Sequence, residues 1–173
     1  MALNINEKIK NIFIKNSYST STTDGYSANY INQITSAINV RMSSSATITT
    51  SNTSVTLTFD TINAQKGTSL TNSNGAVVIG DNVDYVLVSL NVMVQTIGTV
   101  GNKRFIIQKN GTDVARSMIN EQNTNANYQT VTIPPFLLKV SSGDVISVIA
   151  NCTGTDTVIG SGYRDTYLNV MAI

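Results

Sequence analysis

From Ser43 onward the chain repeats with a period of two. The run Asp84–Gln95 shows the repeat most fully. Val86, Val88, Leu90, Val92 and Val94 fall on one side, and Tyr85, Leu87, Ser89, Asn91 and Met93 on the other. Successive side chains of a pleated strand point to opposite faces, so this repeat demands a strand. Val55, Leu57 and Phe59 alternate with Thr56, Thr58 and Asp60 in the same way. Further strands are predicted over Arg104–Lys109, Asp113–Ile119, Tyr128–Val140, Val145–Asn151, a short stretch near Thr157–Gly160, and Tyr167–Ile173. Asn74-Gly75, Asn110-Gly111 and Ser142-Gly143-Asp144 are turn sequences between them. Pro134-Pro135 cannot donate to a ladder, which places its strand at an edge or at a bend. Many short antiparallel strands with no helix-length pattern between them mean a β-sandwich or barrel and exclude a parallel α/β sheet.

Residues 1–50 read differently. Ile5, Ile9, Ile12 and Phe13 recur at helical spacing, and after a polar stretch Asp24 or Ser27 is placed to cap a second helix. That helix would carry Ile31, Ile34, Ile38 and Val40 or Met42 on one face. Each helix has a single apolar stripe and needs a partner. Either the pair packs on the domain or, preferred here, it forms a three-stranded helical stalk or anchor. The expected organisation is a helical anchor over 1–50 and a β head over 51–173.

Asp84–Gln95 and Tyr167–Ile173 are apolar on both faces, whereas a sandwich strand of a monomer keeps one wet face. The second face is therefore expected to pack against another copy of the chain. Tyr85, Tyr128, Tyr167 and Met171 are the candidates for that interface, because aromatic residues and Met are enriched in interface cores.

Composition removes several function classes. Eleven Lys and Arg stand against ten Asp and Glu with no basic run, which gives nothing to neutralise a row of phosphates, so no nucleic-acid partner is expected. The chain has no His, so Ser-His-Asp and Cys-His catalysis as usually built are unavailable and the commonest zinc ligand is missing. Its single Cys, Cys152, cannot form an intrachain disulfide and is read as a packed thiol. Asp60, Asp81, Asp84, Asp144, Asp156 and Asp165 are scattered, with no calcium-loop spacing. No catalytic residue, cofactor site or metal site is assigned, and no enzymatic activity is expected. No apolar run is long enough for a membrane span, and MALNINEKIK has no signal-peptide core. The chain is thus expected to fold in a cytoplasm and to reach a surface by another route.

Four segments, in order, resemble the globular domain shared by the C1q and tumour-necrosis-factor families. GDNVDYVLVSLNV is similar to their Gly/Asp-x-Tyr-aromatic strand at Tyr85 and Val86, and RFIIQKNGTDVARS to the C1q hairpin with its turn at Asn110-Gly111. FLLKVSSGDVISVIA resembles the Leu-x-x-Gly-Asp-x-Val signature at Gly143-Asp144, and YLNVMAI the last strand. The families' Phe-rich pattern is thinned to four Phe. The resemblance implies an antiparallel jelly-roll β-sandwich that forms a homotrimer and performs no catalysis. C1q-like trimers also carry calcium near the axis, for which no ligands can be assigned here. A trimeric head behind a short anchor, without a signal peptide, resembles phage fibre and receptor-binding proteins. This implies a virion surface protein, with a head fibre or capsid spike favoured over a tail tip. Its expected partners are another virion protein through residues 1–50 and a host-surface receptor, including a glycan. The alternative is a carbohydrate-binding jelly roll of a bacterial surface or secreted system, disfavoured by the absence of Trp.

Counting strand reversals from Thr53–Phe59 sends the loops Asn110-Gly111, Ser141–Gly143 and Ser161–Thr166 to the end away from the anchor. Among these, only SGYRDT combines an aromatic with both charges. Tyr163, Arg164 and Asp165 are therefore the receptor-contact candidates.

Overall fold

The computed structural model describes residues 36–48, 53–96, 101–121, 128–153, 157–159 and 166–173. Every regular element among them is a strand: β1 (Ala37–Arg41), β2 (Ala46–Ile48), β3 (Thr53–Leu57), β4 (Thr61–Lys66), β5 (Leu70–Ser73), β6 (Ala76–Ile79) and β7 (Tyr85–Thr96). Then follow β8 (Gly101–Lys109), β9 (Thr112–Glu121), β10 (Tyr128–Lys139), β11 (Val145–Cys152), β12 (Thr157–Ile159) and β13 (Tyr167–Ala172).

The strands form two antiparallel sheets. In sheet A, β7 is the spine. One edge pairs with β10 along Tyr85–Gln95, and the other pairs with β13 over Val86–Asn91 and then with β12 over Val94–Thr96. Beyond β13 lie β1 and β4, and beyond β12 lies β2. In sheet B the spine is β11, with β8 and then β9 on one side and β6 and β3 end to end on the other; β5 lies outside β6. The inward rows meet in one core. Val86, Val88, Leu90, Val92 and Val94 of β7, with Leu168 and Val170 of β13, face Phe105 and Ile107 of β8 and Ile146, Val148 and Ala150 of β11, all buried. Each such Val or Leu contributes roughly 1.5–3 kcal/mol over its exposed state. Cys152 is buried in this core, as expected of a packed thiol.

One charged side chain also lies inside. Lys103 of β8 is fully buried and donates from Nζ to the Thr153 carbonyl at 3.1 Å.

Two expectations are changed by this topology, and one is met. Ala37–Arg41 and Ala46–Ile48, assigned to the helical anchor, are strands of sheet A, so the sheet begins well before residue 51; residues 1–35 lie outside the described residues. Ile34 and Ile38 are four apart, but Ile38, Val40 and Met42 are two apart, and pairing of β1 between β13 and β4 selects that second period. Pro134-Pro135 does sit on an edge strand, at a shift of register between Ile133 and Phe136. The reversal count fails at its first step, since β3 runs toward the end where Ser36 joins the sheet, and again at its last. Both β12 and β13 run antiparallel to β7 along the same edge, so these two strands share one direction instead of alternating.

The loops Asn110-Gly111 and Ser141–Gly143 do lie together, at the end where Ser36 joins the sheet by accepting from the Ala172 N–H. Asn110 and Gly111 both have positive φ, as a two-residue hairpin turn requires. The Asn110 amide donates to Asp144 Oδ1 at 2.6 Å, the Ser141 N–H donates to Oδ2 at 2.9 Å, and Lys109 Nζ lies 3.5 Å away. Burial works to raise the Asp144 pKa, but the Asn110 and Ser141 hydrogen bonds and the Lys109 charge outweigh it and hold the carboxyl below its ordinary value.

Two outcomes follow for stability. A chain starting at Ser43 loses β1 from between β13 and β4 and should not fold, whereas one starting at Ser36 should give the β circular dichroism and cooperative melt of the full chain. Because the Asp144 pKa is lower folded than unfolded, its contribution is complete above the ordinary carboxylate pKa and disappears as pH falls through the folded value. Melting temperature should drop over that acid window, and by less in Asp144→Ala, whose melting point at neutral pH is already reduced.

Candidate assembly face on sheet A

The inward row of β7 is matched by an outward row of different character. Register places Tyr85, Leu87, Ser89, Asn91, Met93 and Gln95 on the outer face of sheet A. They are flanked by Lys139, Leu137, Thr132, Thr130 and Tyr128 of β10, and by Met171, Asn169 and Tyr167 of β13. Ala37, Asn39 and Arg41 of β1 continue the same rows.

One corner of this face is apolar. Leu137 is 59% exposed, Ile173 56%, Met171 46% and Tyr85 41%, and they surround Leu87. With Tyr128 at the opposite end, five of the seven exposed large apolar side chains among the described residues share this one face. Ala37 and Ala64 are too short to fill their positions beside Met171 and Lys66, which leaves a groove of about 310 Å³.

Beside the apolar corner runs a polar row that satisfies itself. Asn63 of β4 donates its amide to Asn39 Oδ1 at 2.7 Å, Asn39 donates to Asn169 Oδ1, and Asn169 donates to Ser89 Oγ at 3.3 Å. The row crosses β4, β1, β13 and β7. Such paired amides can be covered at little cost, since their hydrogen bonds survive loss of water. The next row holds Thr61, Arg41, Tyr167, Asn91 and Thr132.

All four residues singled out for an interface, Tyr85, Tyr128, Tyr167 and Met171, thus lie on the outer side of one sheet. Tyr85 and Met171 are close neighbours in the apolar corner, Tyr167 is mid-face and Tyr128 is at the far margin. Alternation missed Leu137. Val131 and Ile133 point inward, and continuing their phase would turn residue 137 inward too; the register shift at Pro134-Pro135 turns Phe136 and Leu138 in and Leu137 out. Ile173 and Arg41 were also missed, Arg41 because its segment was read as helix. Tyr163, Arg164 and Asp165 lie outside the described residues. No group of three or more metal-ligating side chains occurs among the described residues, and none of their helices is long and apolar enough to cross a membrane.

No family model matches the chain, and no curated protein matches it in sequence. Its structure is similar to murine APRIL at pH 5.0, with a TM-score of 0.62 and 12% identity over 80% of this chain and 99% of that one. It is also similar to the Eiger TNF of S. frugiperda, with a TM-score of 0.57 and 10% identity over 81% and 92%. At such identities what is shared is the architecture: the chain has the antiparallel jelly-roll fold of the tumour-necrosis-factor proteins.

Proposed function

We propose that this chain is a non-enzymatic module that forms a homotrimer through the outer face of sheet A and works as the head of a short fibre on a phage particle. The observation that carries the assembly is the apolar corner of Tyr85, Leu87, Leu137, Met171 and Ile173, set beside a self-satisfied amide row. Exposed apolar surface gathered on one face marks a contact with another molecule. The tumour-necrosis-factor-like fold and the absence of His support a role in binding over catalysis. The virion part rests on the sequence resemblance. In this reading the residues before Ser36 join the head to another virion protein, at the virion surface, and the receptor is a component of the host surface such as a glycan. Segment 161–166 remains the receptor candidate. Its described flanks, Ile159 and Tyr167, pair with Val94 and Asn91, in the half of β7 away from where Ser36 joins the sheet, and this supports the choice.

Sedimentation equilibrium should give a trimer at micromolar concentration, and Leu137→Asp should give a monomer with unchanged β circular dichroism. A monomeric wild-type chain would overturn the assembly reading. For the attachment role, Tyr163→Ala with Arg164→Ala should leave the trimer and its melting temperature nearly unchanged while abolishing adsorption to host cells. Normal adsorption by that double variant rejects the segment as the contact.

A further inference from the structure

Among the described residues, Arg41 is the one side chain of the assembly face with a buried polar atom left without a partner. Its side chain points to the outer side of sheet A, since Ile38 and Val40 of the same strand are buried inward. Its Nε is removed from solvent and has no hydrogen-bond acceptor. Neighbouring groups explain why. Across the two ladders stand Tyr167 and Thr61, both neutral. One row away, Asn39 Oδ1 already accepts from Asn63, and Asn169 Oδ1 from Asn39. The sequence neighbour of Thr61, Asp60, is held by Ser43, whose N–H donates to Oδ1 at 2.8 Å and whose hydroxyl donates to Oδ2. Those bonds, the Ser43 hydroxyl first, keep the Asp60 carboxyl below its ordinary pKa despite opposing desolvation. The ion pair found among the described residues is Lys109–Asp144, at the end of the sandwich. The carboxylate nearest in sequence to the Arg41 ladder is therefore committed elsewhere.

An arginine in this position is tolerable only while its outer nitrogens meet water. Covering the face with a second copy removes that water, and an uncompensated buried guanidinium opposes association strongly. An assembly that uses this face must bring a counter-charge to Arg41. We infer that Arg41 is a contact residue between protomers, completed by a carboxylate of a second copy of this chain that accepts from Nε and a terminal nitrogen as a bidentate pair. This rests on assembly through sheet A, and it adds that the face selects its partner by charge as well as by apolar fit. A face held together by hydrophobic contact alone would be improved by losing the charge. A face completed by a carboxylate would be damaged.

The full-length chain and its Arg41→Met and Arg41→Glu variants, each checked for intact β circular dichroism, are compared by sedimentation over a concentration series. The wild type should be trimeric, Arg41→Met should dissociate at a concentration at least about tenfold higher, and Arg41→Glu should be weaker still because like charges then face each other. Assembly of Arg41→Met as tight as wild type, or tighter, overturns the inference while leaving the trimer intact. Arg41→Glu assembling as well as Arg41→Met also overturns it, since no carboxylate then stands opposite. A monomeric wild type overturns the assembly reading itself.

Discussion

The pairing of β7 along both of its edges organises the molecule. Ten of its residues are bonded to β10, and its other edge holds β13 and β12 in succession, so three chain segments distant in sequence are aligned by one strand. Its inward valines and leucine are wholly buried, and sheet B packs on them. Because side chains alternate strictly along a strand, fixing the inward row also fixes the outward one. Tyr85, Leu87 and Met93 have no choice but to face away from the core. The candidate assembly face is thus a geometric consequence of burying the core row.

That face handles polarity in a particular way. Charged residues are 12% of the chain, and amides and hydroxyls take their place. On sheet A the amides of Asn63, Asn39 and Asn169 bond to one another and to Ser89, so part of their hydrogen-bonding need is met within the chain. Lysine or glutamate in those positions would oppose close contact. Arg41 departs from this pattern, with a permanent charge and a buried Nε that has no hydrogen-bond partner among the described residues. The contrast between paired amides and one unpaired guanidinium gives the face both tolerance of burial and a requirement for a specific partner.

The alternation of β7, β8, β10, β11 and β13 was legible in the sequence because each buries one row, and burial is what writes a period of two into residue choice. The short or exposed strands were not. β4 is exposed along nearly its whole length, so nothing selects apolar residues at every second position there. Ile38 and Val40 of β1 also fit a helical spacing after Ile31 and Ile34, and only the place of β1 between β13 and β4 decides in favour of a strand. The turns Asn74-Gly75 and Asn110-Gly111 were legible for a local reason: both residues of each adopt positive φ, which few other residue pairs tolerate.

By itself the sequence determined the class of fold, the buried rows of the long strands and the existence of a second apolar surface, since all three follow from local alternation and from which residue types are present. Tertiary structure alone decided which of those apolar residues gather in one place. Leu137 faces outward because of a register shift that only pairing with β7 reveals. β12 and β13 run in the same direction, because both lie antiparallel along one edge of β7. Arg41 is left without an acceptor because the amides beside it bond to each other across four strands. These are relations between residues far apart in the chain, and a repeat of period two carries no information about which strand lies beside which.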